Sequence, residues 1–325
     1  MARAAADRGL SPVDLRLRGP GGEPVDLIRT LNSHGFVDLP PMRPAPDYRS
    51  VELTLAPRRG RARTVRIEQG GRGRARVSVL GRAASEATTR ELVTLVRHVL
   101  RLDADLSPFY EAAATDPDLT WVTAGAGRMV QSSSVFEDVI KTVCTTNCTW
   151  SATTRMVHAI VRYLGDPAPA AGRDTAWGRA FPTPVAMAEA GEAFYTDVAR
   201  AGYRGAYLIS LARSVAGGEL DLEALGRATA DELPDEELEQ RLLALPGVGP
   251  YAAAHIMMTL GRYHRLILDS WTRPTYAKLV GRKAVKDAAI ERRFRRYGRY
   301  AGLAFWLFLT RDWVADPTAE AAAPG

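Results

Sequence analysis

Hydrophobic and polar positions alternate with period two from about Val51 to Leu80. Val51, Leu53 and Leu55 alternate with polar residues, then Val65 and Ile67, then Val77 and Val79, and Gly70-Gly71-Arg72-Gly73 stands before the last pair as a turn signal. Successive strand side chains point to opposite faces, so the pattern predicts three short antiparallel strands, preceded by a short helix over 25–31. After Gly81 the period changes to 3.6. A helix is predicted over 85–101, with Ser85 as cap and Glu86 in its first turn. Further helices are predicted over 106–114, 135–143, 151–164, 184–201, 203–216, 221–230, 235–244, 251–261, 271–280, 287–299 and 300–310, with 174–184 a loop. A small sheet followed by many helices reads as α+β: a small N-terminal antiparallel β domain followed by a mainly α-helical body. The ends, 1–12 rich in Ala and Arg and 316–325 rich in Ala and Pro, carry no periodicity and are expected to be disordered.

The 325 residues carry 43 Lys and Arg against 37 Asp and Glu, a formal charge of +6. That balance suits a polyanionic partner, although an Arg- and Ala-rich composition explains part of it. The two cysteines, Cys144 and Cys148, are too few for a disulfide framework or for a four-cysteine iron–sulfur or zinc site. They read as small buried hydrophobes. The opening residues contain no apolar core of a secretory signal, and the most apolar stretch, 301–309, is too short to span a bilayer. A reducing cytoplasm, at the nucleoid, is the expected compartment.

The segment from Leu242 to Pro274 concentrates the chemistry. A helix ending near Ala244 runs into Leu245-Pro246-Gly247-Val248-Gly249, and a second helix starts near Tyr251. Pro246 stops the first helix, and the two glycines let other atoms approach the backbone. The amides opening the second helix are unpaired and lie at the positive end of its dipole, which makes an anion site suited to DNA phosphate. Leu245 and Val248 are expected to pin the turn to the core. After the second helix, Leu266-Ile267-Leu268 leads into Asp269. A carboxylate directly after three large apolar residues is poorly placed for a solvated surface. It is equally placed to cap the helix that follows, and a cap also positions the carboxylate.

This segment resembles the helix-hairpin-helix DNA glycosylases, nearest the 3-methyladenine glycosylase II and 8-oxoguanine glycosylase branch of the HhH-GPD superfamily. Ser134-Val135-Phe136-Glu137-Asp138 with Cys144-Thr145-Thr146-Asn147-Cys148 looks like the start of that family's helical body, and Ala201-Gly202-Tyr203-Arg204-Gly205-Ala206-Tyr207 like a segment it presents to DNA. The resemblance covers roughly residues 15–315. It implies tails over 1–14 and 316–325, a β-rich domain over 15–92, a helical bundle over 93–230 and a helix-hairpin-helix domain over 231–315. The implied partner is double-stranded DNA containing a damaged base, bound by a monomer with no membrane association.

The resemblance also assigns roles. The damaged base is turned out of the duplex. Tyr203 wedges into the stack, Asn147 fills the gap and Arg204 bonds the orphan base. Each also has a plain alternative: Tyr203 as a core aromatic at a helix start, Arg204 as a surface charge and Asn147 as the cap of the next helix. Asp269 stabilises the oxocarbenium-like sugar and takes a proton from the attacking water. Phe136, Trp150 and Trp271 are candidates to stack on the base, against a core-packing alternative. The run Arg282–Arg299, with eight basic and two acidic residues, is expected to be a solvated face near the phosphates. In bifunctional relatives a hairpin lysine forms an imine with the sugar, and Tyr251 stands at that position here, so release of the base without strand cleavage is expected. No metal or iron–sulfur cluster is required, and a monovalent cation held by hairpin carbonyls is the one ion the family suggests. The alternatives are an 8-oxoguanine-type glycosylase with lyase activity and a DNA-binding protein that has lost catalysis. Asp269 argues against the second.

Overall fold

The computed structural model describes residues 12–314 except 59, 170 and 173. The expected tails therefore lie outside the described residues, apart from 12–14. Five strands run β1 (Val13–Arg16), β2 (Met42–Pro44), β3 (Ser50–Leu55), β4 (Arg63–Gln69) and β5 (Arg74–Val79), forming one antiparallel sheet in the order β1-β5-β4-β3-β2. The three strands that alternation predicts form its centre. The register places Val51, Ile67 and Val77 in one row and Leu53, Val65 and Val79 in the next, and all six are buried. Such cross-strand rows are the unit of sheet stabilisation. The outer strands, of four and three residues, are too short to show a period. β1 starts inside the stretch expected as tail, because Val13 and Leu15 pair with Val77 and Ala75.

The helices are α1 (Leu27–Leu31), α2 (Glu86–Val99), α3 (Ser107–Ala114), α4 (Val135–Thr145), α5 (Trp150–Leu164), α6 (Pro184–Glu189), α7 (Gly191–Ala193), α8 (Arg204–Ala216), α9 (Leu222–Arg227), α10 (Asp235–Leu243), α11 (Pro250–Leu260), α12 (Thr272–Leu279), α13 (Asp287–Phe294) and α14 (Ala301–Thr310). No described helix is long and apolar enough to cross a membrane. Ser85 caps α2 through Thr88 N–H, as its position predicts. The helix expected over 184–201 is instead broken: Gly191 adopts φ +73, and a π-helical stretch, Phe194–Val198, follows.

Three apolar cores cut across the expected division at residues 92 and 230. One joins the sheet to α2 through Leu92, Val96 and Val99. A second gathers α4, α5 and α8 around Leu242, Leu245, Val248 and Ile256 of the hairpin. A third packs α3 against α12 and α14. Helix α2 thus belongs with the sheet, and α3 with the C-terminal helices. α11 supplies Ala252, Ala253, Ile256 and Met257 to the second core and Ala254 and Met258 to the third. This leaves the line through Tyr251 and His255, one turn apart, facing the gap between them.

Candidate active site

That gap is a cleft of about 1740 Å³, lined by the hairpin, the loop between α4 and α5, the start of α8, the turn before α12 and the segment around His34 and Phe36.

Asp269 sits on this cleft at the turn before α12 and is half-buried. Its Oδ1 accepts the Trp271 and Thr272 amides at 2.8 and 2.7 Å, while its own amide donates to Thr272 Oγ1 at 2.8 Å. This reciprocal cap fixes the carboxylate at the positive end of α12. The capping reading therefore holds, and the same cap leaves the carboxylate on the cleft. Oδ1 serves the backbone, and Oδ2 has no hydrogen-bond partner among the described residues.

The hairpin takes the expected form. Leu245 and Val248 are buried and the Val248 amide donates to the Leu245 carbonyl at 3.1 Å. Gly247 has φ +79, and a Cβ there would stand 2.7 Å from the Tyr207 ring. Its glycine is required by the protein's own packing. Gly249, one residue before α11, faces open space. With Pro250 lacking an N–H, the Gly249, Tyr251 and Ala252 amides make no backbone bond among the described residues and open α11 toward the cleft.

Tyr251 lies on the cleft with its hydroxyl 3.4 Å from Thr145 Oγ1. Burial and, less strongly, the negative charge of Asp269 raise its phenol above the ordinary range, so it is a neutral hydroxyl at physiological pH. Among the described residues, no lysine lines the cleft.

Asn147 and Tyr203 are brought side by side at the cleft, Asn147 Nδ2 donating to Tyr203 Oη at 3.4 Å. Asn147 has φ +46, and the N-cap of α5 is Thr149, so the cap alternative for Asn147 is excluded. Tyr203 is 55% exposed, which excludes the core alternative.

Arg204 differs from expectation. It is buried, and its guanidinium donates to the Thr146 carbonyl and, at 3.0 Å, to the Asn147 carbonyl, with the Tyr203 ring 4.6 Å away. Its Nε and Nη2 hold the turn at Thr146 and Asn147, so it positions Asn147, and the surface-charge alternative is excluded. Phe136 is also corrected. It is buried in the second core against Phe181 and does not line the cleft.

Trp150 and Trp271 do line it, at 44% and 39% exposure. Trp150 rests on the turn at Gly35, where a Cβ would stand 3.0 Å from the indole. Trp271 packs 5.7 Å from both Trp306 and Trp313. Cys144 is buried, as expected, and burial pushes its thiol up to about 12. Of the Arg282–Arg299 run, Arg293 and Arg296 are tied to Asp118 and Asp116, so part of that face clamps the segment after α3.

Sequence reasoning missed His34, Phe36 and His255 on this cleft. For His255 the signal was present: it lies four residues after Tyr251, on one helical face. His34 arrives from the β-rich part of the chain and has no local signal.

No protein-family model matches the chain. It is 26% identical over 175 residues to a DNA-3-methyladenine glycosylase of Bacillus subtilis, spanning 53% of this chain and about half, 55%, of that relative. A 3-methyladenine DNA glycosylase from Archaeoglobus fulgidus superposes with TM-score 0.70 at 20% identity, over 93% of this chain and all of that one. The 8-oxoguanine glycosylase/lyase of Clostridium acetobutylicum, in complex with double-stranded DNA containing cytosine opposite 8-oxoguanine, gives 0.68 at 18% identity, over 96% and 99%. A five-stranded sheet, a helical body and a hairpin leading to a capped aspartate are here assembled in the fold of the helix-hairpin-helix DNA glycosylases.

Proposed function

We propose that the protein is a monofunctional DNA-repair glycosylase that turns a damaged purine out of double-stranded DNA and hydrolyses its N-glycosidic bond. The observation that carries this is Asp269, half-buried on the same cleft as the hairpin, Asn147 and Tyr203, with one oxygen held by two amides and the other without a partner. A carboxylate fixed in this way needs no rearrangement to face the positive charge that develops at C1′. It can also accept a proton from the attacking water. The open amides of the hairpin bind backbone phosphate, and the exposed Tyr203 and Asn147 occupy the space the base leaves. Tyr251 has no nitrogen with which to form an imine. Among the described residues the Gly247 and Val248 carbonyls accept no backbone hydrogen bond, which leaves them available to a monovalent cation, but no step depends on one. The protein acts as a monomer at the nucleoid.

The test is a panel of duplexes, each with one alkylated or oxidised purine, incubated with protein and then treated with alkali. Nicks are expected only after alkali, with no cross-linked band when borohydride is present during turnover. Asp269→Asn is expected to lose at least about a hundredfold in rate while still binding the duplex. Near-normal release by that variant removes Asp269 from the chemistry, and a strong borohydride band shows that an amine acts where the cleft offers none.

A further inference from the structure

His255 projects from α11 one turn beyond Tyr251 and lines the cleft, although only 7% of it is exposed. Its ring is set among aromatics, 5.1 Å from Phe36, 5.8 Å from His34 and 6.1 Å from Tyr251 between centroids. Its Nε2 is buried and has no hydrogen-bond partner. Buried polar atoms in folded proteins are almost always satisfied, because leaving one unpaired forfeits its hydration without replacement.

His34 shows the contrast. Its Nε2 lies 2.6 Å from the Val130 carbonyl, which can only accept, so the proton is on Nε2, and its Nδ1 accepts the Phe36 amide at 3.4 Å. Both nitrogens of His34 serve the fold. His255 instead keeps a buried Nε2 with no partner, on the part of the cleft walled by the rings of Phe36, His34 and Tyr251. Burial and the neighbouring His34 hold it neutral, with its pKa lowered to about 3.

We infer that His255 reads the extruded base, offering its imidazole to a hydrogen-bonding edge of a purine packed among Phe36, Tyr251 and Trp150. This inference rests on the glycosylase reading. The neutral ring offers one N–H and one lone pair, so it satisfies a purine edge presenting a partner for either. Because it is uncharged, it repels neither a neutral nor a cationic base. An abasic sugar brings nothing for it to bond.

The test compares wild type, His255→Leu and His255→Gln on two otherwise identical duplexes. One carries a single 1,N6-ethenoadenine and the other a tetrahydrofuran abasic analogue. Affinity is measured by fluorescence anisotropy. The quantity read is the preference for the base-containing duplex over the abasic one. His255→Leu is expected to lower that preference at least about fivefold, the scale of one buried hydrogen bond, with abasic binding unchanged. His255→Gln, which keeps a donor and an acceptor, is expected to restore part of it. Equal losses on both duplexes, or an unchanged preference in His255→Leu, overturn the inference. Alkali treatment of the same mixtures reports base release separately. A protein that keeps the preference but releases no purine from the wider panel fails the proposed activity, while His255 remains the residue that reads the base.

Discussion

At the scale of single residues, the sequence marked chemistry best where a residue type stood out against its neighbours. Asp269 after three apolar residues was legible because the conflict between charge and hydrophobic context is local. Arg204 and Phe136 were not, because whether a guanidinium meets water or the Thr146 carbonyl is set by a loop 58 residues away in the chain. The buried titratable groups lead to a test of the same kind of context. The folded-state pKa of His255 is about 3 and that of His34 about 4, both lowered chiefly by burial, so what their neutral forms contribute is fully present above pH 6.5 and is lost as pH falls. Asp138 acts in the opposite sense. Burial chiefly, with Glu137 beside it, raises it to about 7 against the opposing Ser132 contact and Lys141 charge, so its contribution is present below 3.8 and lost as pH rises through 7. Between about pH 4.5 and 6, folding releases two histidine protons and takes up one at Asp138. Stability from these three groups therefore rises with pH in this window, by roughly the effect of one net proton released, and His255→Leu should remove most of that slope. Urea midpoints across this window measure it. A slope unchanged by the substitution would mean that His255 is not held neutral.

At the scale of elements, the periodic segments were legible and the short or interrupted ones were not. The three central strands and most helices follow their hydrophobic period. β1 and β2, with four and three residues, exist only through pairing with β5 and β3. The hairpin shows that a glycine read from sequence for one reason can also be needed for another. Both glycines suggest close approach of other atoms to the backbone; Gly247 is in addition needed against Tyr207 and for its φ of +79, whereas Gly249 meets open space. Gly247→Ala should therefore destabilise the fold by about 1–3 kcal/mol, the range for forcing a non-glycine residue into strained backbone. Gly249→Ala should leave the thermal midpoint within a degree or two and weaken binding to damaged and undamaged duplexes alike, since the contact is to phosphate. Melting curves and binding isotherms on both duplexes separate the two. Loss of binding to damaged DNA alone in Gly249→Ala would show that the loop reads the lesion.

At the scale of the whole molecule, linear domain boundaries gave way to three cores that exchange helices, because apolar faces pack wherever the chain returns rather than in sequence order. The join between the sheet and the helical body includes a buried ion pair beside its apolar contacts. Arg128 and Glu23 are within 3% of complete burial with Nη2 2.5 Å from Oε1, and Arg128 also donates to the carbonyls of Arg101 and, at 2.7 Å, Ala104. Glu23 Oε1 in turn accepts the Leu106 amide at 3.0 Å, so one ion pair ties the start of α1, the end of α2 and the start of α3. The pair is incompletely satisfied, since Glu23 Oε2 and Arg128 Nε have no partner. Desolvating two charges offsets most of their attraction, so the pair contributes little net stability, yet removing one partner strands the other. Arg128→Met is therefore expected to destabilise by about 3–5 kcal/mol. Adding Glu23→Gln, which keeps an acceptor for Leu106 while removing the stranded charge, should recover at least half of that loss. Chemical denaturation of the single and double variants decides it. If the double variant is as unstable as the sum of the singles, the two side chains act independently, each through its own backbone partners rather than as a pair.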